Sequence, residues 1–213
     1  MGQSIRHLLD EFPEITVQDF KLEKINIATQ SLVIDFSSPD YFSEILHTCV
    51  HQKLPLVIGT TGLNSNHHEL IGKAKKTIPI LIGSNMSIGI ATLKKSITNF
   101  LMSSQESFSC NLIEIHHTQK VDAPSGTAIE IMKFLEDLPG DKIQMPISVN
   151  SHRIGRAFGT HRVEFYNSRE TISFQHIAHS RDIFASGAIA AAQWIVSNPP
   201  GLYSFDDYLN KKL

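Results

Sequence analysis

The feature that most constrains the fold is an alternation in the first part of the chain, where short β-rich runs, apolar on both faces, are separated by stretches of helical periodicity. The runs are Ile15-Thr16-Val17, Leu32 to Phe36, Leu54 to Ile58 and Ile78 to Ile82. Continuous rather than alternating hydrophobicity is the mark of strands covered on both sides, as in parallel sheets. Between them, Pro39 to Gln52 opens on Ser38-Pro39, which suits an N-cap and the first helical position, and Leu63 to Lys76 carries Leu70, Ile71 and Ala74 on one face. The order βαβαβ predicts an α/β fold built on a doubly wound parallel sheet.

Each of the last three runs ends in a short polar turn: Asp35-Phe36-Ser37-Ser38-Pro39, then Gly59-Thr60-Thr61-Gly62, then Gly83-Ser84-Asn85-Met86-Ser87. Ligands of open α/β sheets bind at the carboxyl ends of the strands, where small residues let backbone N–H groups approach an anion. One such turn is also a plain tight turn. Three in register predict a shared crevice for a nucleotide. A dinucleotide fold also calls for a strand and a Gly-rich turn ahead of its first helix. Met1 to Asp10 reads as a helix with Ile5, Leu8 and Leu9 on one face, and of that turn only Gly2 could be a survivor. The expectation is that translation begins further upstream, or that the chain lacks a central strand of its sheet.

From Ser87 the pattern changes to a helix through Ser103 and then β-like runs at Ser109 to His117, Gln144 to Ser151, His161 to Asn167 and Thr171 to Ala178. Asn167-Ser168-Arg169-Glu170 reads as a hairpin turn. Ala185 to Val196 is an alanine-rich helix that returns to the first domain. Residues 1–86 with 181–213 are expected to form a dinucleotide-binding domain, and residues 87–180 a second, α+β mixed-sheet domain.

Lys and Arg total 19 against 21 for Asp and Glu, so no broad field favours nucleic acid or an anionic membrane. Cys49 and Cys110 form no CxxC pair, and no apolar run approaches the roughly 20 residues of a membrane span. A cytoplasmic protein is expected, and any charged ligand must be met locally.

That local chemistry is concentrated in EIHHTQKVDAPSGTA, residues 114–128. On a strand, Glu114 and His116 share one face while Ile115 and His117 share the other. Neighbouring histidines on opposite faces do not hold one metal, and His152, His161, His176 and His179 have no ligand spacing, so no metal site is expected. A histidine at a strand end suits acid–base work. Lys120 and Asp122 lie on the following loop, and Pro124-Ser125-Gly126-Thr127 turns into a helix over Ala128 to Leu138. Thr127-Ala128-Ile129-Glu130 fits a capping box, which would set the N–H groups of the first turn beside Lys120 as a carboxylate or phosphate socket.

The motif E-x-H-H-x-x-K-x-D-x-P-S-G-T-A, present here as Glu114, His116, His117, Lys120, Asp122, Pro124, Ser125, Gly126, Thr127 and Ala128, resembles that of the 4-hydroxy-tetrahydrodipicolinate reductase (dihydrodipicolinate reductase) family of bacterial lysine and diaminopimelate biosynthesis. The resemblance extends to Asp35 to Pro39, GTTG at 59–62, the turn at 83–87, then Gly155, Gly159, His161, Ser180-Arg181, Phe184-Ala185 and Gly187-Ala188. Ser84 and Met86 stand where the family has Ala and Phe.

The resemblance implies a Rossmann-like domain with NADH or NADPH as cofactor, its site lined by Gly59, Thr60, Thr61, Gly83, Ser84, Asn85 and Met86. It implies a small cyclic dicarboxylate substrate bound by His117, Lys120, Gly126 and Thr127, with His116 as acid–base residue and Lys120 as proton donor. A homotetramer is implied as well. Asp19, Lys21 and Glu23 are alternative candidates for reading the cofactor's ribose, so NADH and NADPH both stand. Two functions compete: NAD(P)H-dependent reduction of 4-hydroxy-tetrahydrodipicolinate, and a non-catalytic truncated remnant that keeps the substrate socket but binds no dinucleotide.

Overall fold

The alternating segments fold, in a computed structural model that describes residues 1–10, 12, 15–17, 19 and 31–210, into two compact units. One comprises Met1–Met86 with Asp182–Leu213, the other Ser87–Arg181.

In the first unit, helix α1 (Gly2–Leu9) precedes β1 (Val33–Asp35), α2 (Pro39–Gln52), β2 (Leu56–Ile58), α3 (Ser65–Ala74) and β3 (Pro79–Ile82), and α6 (Asp182–Ile195), β8 (Gly201–Ser204) and α7 (Phe205–Asn210) complete it. The strands form one all-parallel sheet in the order β1-β2-β3-β8. Their apolar runs are continuous because both faces are covered. On one side Phe42, Ile45, Leu46 and Ile71 of α2 and α3 pack against Leu56, Ile58 and Ile80. On the other, Ile5 and Leu9 of α1 and Ala188, Ala191 and Ile195 of α6 meet Val57 and Leu81. Helix α2 starts where Ser38-Pro39 predicts: Ser38 is extended and its Oγ accepts from the Asp40 N–H, a cap worth about 1 kcal/mol.

Alanine and glycine on α6 have a steric cause. A Cβ on Gly187 would lie 1.7 Å from the Met86 carbonyl oxygen, so the helix reaches the strand-end turn only without a side chain there. Ile15-Thr16-Val17 is not a strand. The Ile15 N–H closes a turn onto the Phe12 carbonyl at 3.0 Å, and Ile15 and Val17 lay their side chains against the α1–α6 cluster. With no ladder partner among the described residues, β propensity in three residues is not enough to form a strand.

The second unit runs α4 (Ile88–Ser103), β4 (Phe108–His116), α5 (Gly126–Glu136), β5 (Ile143–Arg153), β6 (Gly159–Tyr166) and β7 (Thr171–Ala178). Its sheet has the order β5-β4-β6-β7, with β4 and β5 parallel and the other pairs antiparallel. The alternation read in β4 is literal: Phe108, Cys110, Leu112, Glu114 and His116 are buried, and the residues between them only partly so. Ile90, Leu93, Ile97 and Leu101 of α4 and Ala128, Ile131 and Leu135 of α5 share one core with Phe108, Leu112, Val163 and Phe165 of the sheet. The Asn167 N–H donates to the Glu170 carbonyl at 3.1 Å, closing the expected hairpin.

Candidate active site

The inward face of β4 ends in two polar residues, so the apolar core gives way to a buried polar cluster at the strand's carboxyl end. Glu114 has no exposed side-chain surface, and its Oε2 lies 2.6 Å from His116 Nδ1. Oε1 accepts from the Ser125 N–H at 3.2 Å and from Arg153 Nη2 at 3.0 Å, and Ser151, its register partner on β5, donates as well. Burial, the largest single influence, raises the Glu114 carboxyl's pKa. The hydrogen bonds from Ser151, Ser125 and Arg153 and the neighbouring His116 outweigh it and hold the group below the ordinary value. Glu114 is therefore ionised at neutral pH. Because a carboxylate only accepts, a hydrogen bond across this contact would place the His116 proton on Nδ1 and leave Nε2, beside Gly159, as the nitrogen that exchanges one.

His116 itself is pushed below its usual pKa, first by burial, with the charges of Lys120 and Arg153 adding to that and the charge and hydrogen bond of Glu114 opposing it. His161, on β6 opposite Glu114, sets its ring edge-on to His116 with centroids 5.2 Å apart. Its Nε2 lies 3.3 Å from Ser125 Oγ. Burial, then the charge of His116, drives its pKa down to about 3, so it is a neutral hydrogen-bonding group.

The polar cluster is closed by the loop and helix that follow β4. Helix α5 begins at Gly126 with Ser125 as N-cap, its Oγ accepting from Ala128 N–H at 3.2 Å. The capping box expected from Thr127 to Glu130 is thus displaced. Ser125 takes the extended cap conformation and is anchored to Glu114, while Glu130 turns to Lys94, 2.8 Å away. The first turn of α5, with Gly126 and Thr127, therefore lies next in the chain to the polar cluster. Lys120 pairs with Asp122 at 2.9 Å on the loop. His117, just past the end of β4, accepts the Lys120 N–H at its carbonyl, 3.1 Å. His116, His117, Lys120, Gly126 and Thr127 thus gather where β4 ends and α5 begins.

Glu114, His116 and His161 each offer a ligand atom within 4.8 Å of the others. The Glu114–His116 contact at 2.6 Å is a hydrogen-bond distance, Arg153 occupies the other carboxylate oxygen, and Lys120 adds a second positive charge. The geometry suits acid–base work better than a cation. Sequence reasoning assigned no role to Glu114, Arg153 or His161. The row Ser151, Glu114, His161, His176 across β5, β4, β6 and β7 is a product of register, and no local motif announces it.

In the first unit, β1, β2 and β3 are parallel neighbours, so their carboxyl-end turns emerge along one edge. Asp35, itself buried, accepts at its carbonyl from the Gly59 N–H at 2.8 Å and the Thr60 hydroxyl at 3.3 Å, and the Gly83 N–H donates to the Ile58 carbonyl at 3.0 Å. Asp35 Oδ1 holds the first turn through the Ser37 N–H and hydroxyl. A Cβ on Gly59 would meet the Phe36 ring at 2.0 Å, so a side chain there displaces that ring. Thr61 and Ser84 are exposed at this edge, Thr60 is buried, and Gly83 and Asn85 lie between. The Met86 side chain is sealed into the core, leaving only its backbone to meet a ligand. Side-by-side turns with exposed small residues, one of them feeding the N-terminus of α2, fit a dinucleotide. Of the residues considered for reading its ribose, Asp19 is bonded to Arg6 at 2.6 Å, and Lys21 and Glu23 lie outside the described residues.

Residues 1–86 match the family described as dihydrodipicolinate reductase, N-terminus, and residues 89–209 the family described as dihydrodipicolinate reductase, C-terminus. A relative from Bdellovibrio bacteriovorus named 4-hydroxy-tetrahydrodipicolinate reductase is 36% identical over 214 residues, covering 98% of this chain and 91% of its own. One of the same name from Campylobacter lari is 39% identical over 194 residues, covering 84% and 80%. Among solved structures, a dipicolinate-bound dihydrodipicolinate reductase from Paenisporosarcina sp. TG-14 shares the fold, with a TM-score of 0.63 and 21% identity over 80% of this chain and 70% of that one.

Proposed function

The chain belongs to the dihydrodipicolinate reductase family, and we propose that it reduces 4-hydroxy-tetrahydrodipicolinate to tetrahydrodipicolinate with NADH or NADPH, a step of lysine and diaminopimelate biosynthesis. The observation that carries the reading is the buried Glu114–His116 contact of 2.6 Å at the mouth of a helix, with the Lys120 ammonium on the adjoining loop. The nicotinamide cofactor supplies the hydride when bound, and the turns at Gly59, Thr60 and Thr61 and at Gly83, Ser84, Asn85 and Met86 are the groups that would hold it.

Going from the 4-hydroxy substrate to tetrahydrodipicolinate takes up one hydride and one proton and releases the 4-hydroxyl as water, so the substrate side of the reaction needs two things from the protein: seats for the carboxylates and a proton. Gly126 and Thr127 offer helix N–H groups to one carboxylate, and His117 and Lys120 offer donors to the other. Lys120, leaving Asp122, delivers the proton. His116, oriented through Nδ1 by Glu114, is the acid–base partner at Nε2. No observation favours the alternative of a non-catalytic remnant.

The same reading includes a homotetramer and a cytoplasmic location. The outward face of the second sheet, with Asn111, Ile113, Ile115, Arg162 and Glu164 side by side across β4 and β6, is a surface on which copies of the chain can pair. The cysteines are free and buried thiols, and among the described residues no helix is long and apolar enough to cross a membrane.

The test pairs Lys120→Ala with the unaltered chain. Turnover should fall by roughly a hundredfold or more, the usual worth of a general acid with its counter-charge. Binding of dipicolinate, a planar dicarboxylate probe, should weaken in parallel. Near-normal turnover in the variant would reject the role of Lys120.

A further inference from the structure

We propose that Arg153 is a positioning residue for this reaction: its guanidinium ties the loop that bears Lys120 to the buried Glu114, and so holds Lys120 and His116 in one fixed relation. The inference rests on the function proposed above and adds a residue outside the motif.

The loop between His117 and Pro124 has no apolar anchor. Thr118, Gln119, Val121, Asp122 and Ala123 are all exposed, Val121 almost completely. A segment with so little buried surface depends on polar contacts for its shape. The Thr118 N–H bond to the Gly155 carbonyl at 3.3 Å holds the start of the loop, and Arg153 holds its middle. Its Nε donates to the Lys120 carbonyl at 3.2 Å, its Nη2 donates to the Asp122 carbonyl and to Glu114 Oε1 at 3.0 Å, and its Nη1 to the His152 carbonyl at 2.8 Å. One planar side chain thus bridges two backbone positions of the loop and the carboxylate that orients His116. Register puts it there. Arg153 is the β5 partner of His116, and the Ile154 N–H donates to the His116 carbonyl at 2.7 Å. A lysine has one compact donor head in place of this fork and cannot span the same acceptors.

The guanidinium also sets the charge around His116, whose charged and titratable neighbours are Glu114 on its own strand, Lys120 on the loop, Arg153 on β5 and His161 on β6. Removing the Arg153 charge takes away one of the influences that lower the His116 pKa.

The test uses the full chain with Arg153→Met and Arg153→Lys. A small displacement of a catalytic group costs up to about a hundredfold in rate, so kcat should fall by roughly that factor in Arg153→Met, with KM for the nicotinamide cofactor unchanged. In the same variant the His116 imidazole, followed by NMR without substrate, should titrate at higher pH. Amides of residues 118–123 should exchange faster. Arg153→Lys should restore the His116 titration but not the loop protection, and its kcat should stay well below that of the parent. A kcat close to the parent in either variant, or an unmoved His116 titration in Arg153→Met, overturns the proposal. If Arg153→Met does not fold, Arg153→Lys decides alone by its kcat and its amide exchange. If the parent chain shows no turnover, the function reading fails. The clamp is then judged by exchange and titration, and unchanged exchange at 118–123 overturns it.

Discussion

Replacing Glu114 by glutamine removes one charge and almost no volume from the buried cluster, so its effects can be worked out atom by atom. Ser125 N–H and Arg153 Nη2 both donate to Oε1, which forces the amide oxygen of the variant to that side. Its NH2 group must then face His116 Nδ1, now 2.6 Å from Oε2. A donor there turns Nδ1 into an acceptor and moves the imidazole proton to Nε2, the wrong tautomer for taking a proton at that nitrogen. Losing a correctly set acid–base group costs roughly a hundredfold to ten-thousandfold in turnover. The folding penalty is smaller. The contact with Arg153 changes from an ion pair to a charge–amide hydrogen bond and that with His116 loses its carboxylate acceptor, while the cost of burying a carboxylate disappears, leaving a net loss of about 1–3 kcal/mol. The assay is kcat as a function of pH beside thermal unfolding of both forms. Wild-type turnover with a wild-type pH profile in Glu114→Gln would refute the tautomer argument.

Other expectations separate the remaining parts of the account. His116→Gln should lower kcat and flatten its pH dependence, whereas His117→Gln, outside the buried cluster, should mainly raise KM for the substrate; identical kinetic profiles would undo that division. Gly187→Ala should destabilise the first unit by about 1–3 kcal/mol or more, read as a lower melting temperature, because its Cβ would sit 1.7 Å from the Met86 carbonyl oxygen and α6 or the strand-end turn must move. For His161 the pKa in the folded chain is about 3 against an ordinary 6.5. Below the ordinary value the unfolded chain takes up a proton that the folded chain refuses. Its contribution is therefore fully present above pH 6.5 and declines by roughly 1.4 kcal/mol per pH unit as the pH falls toward the folded value. Melting between neutral and mildly acid pH should show this slope, and His161→Gln should reduce it.

What the sequence discloses depends on how local the cause is. Helix α2 is legible to the residue because Ser38-Pro39 and the apolar positions behind it are all within the element. Thr171 to Ala178 and the Asn167 hairpin are legible for the same reason. The start of α5 is ambiguous, since Ser125 and Thr127 are both competent caps, and the choice is made by Glu114 reaching across from β4. Ile15 to Val17 has strand composition but finds a helix cluster to pack on instead of a ladder. In the candidate site, the facing of Glu114 and His116 follows from alternation alone. Arg153 and His161 do not, because parallel pairing of β4 with β5 and antiparallel pairing with β6 bring them to Glu114 from distant parts of the chain.

The central claim is a hydride transfer to one cyclic dicarboxylate, and steady-state oxidation of NADH and NADPH by the purified chain tests it most directly. With 4-hydroxy-tetrahydrodipicolinate present, the nicotinamide absorbance should fall with at least one of the two cofactors, dipicolinate should inhibit competitively against the substrate, and omitting the substrate should abolish the signal. A folded chain that binds the cofactor yet oxidises neither NADH nor NADPH with saturating substrate would contradict the account.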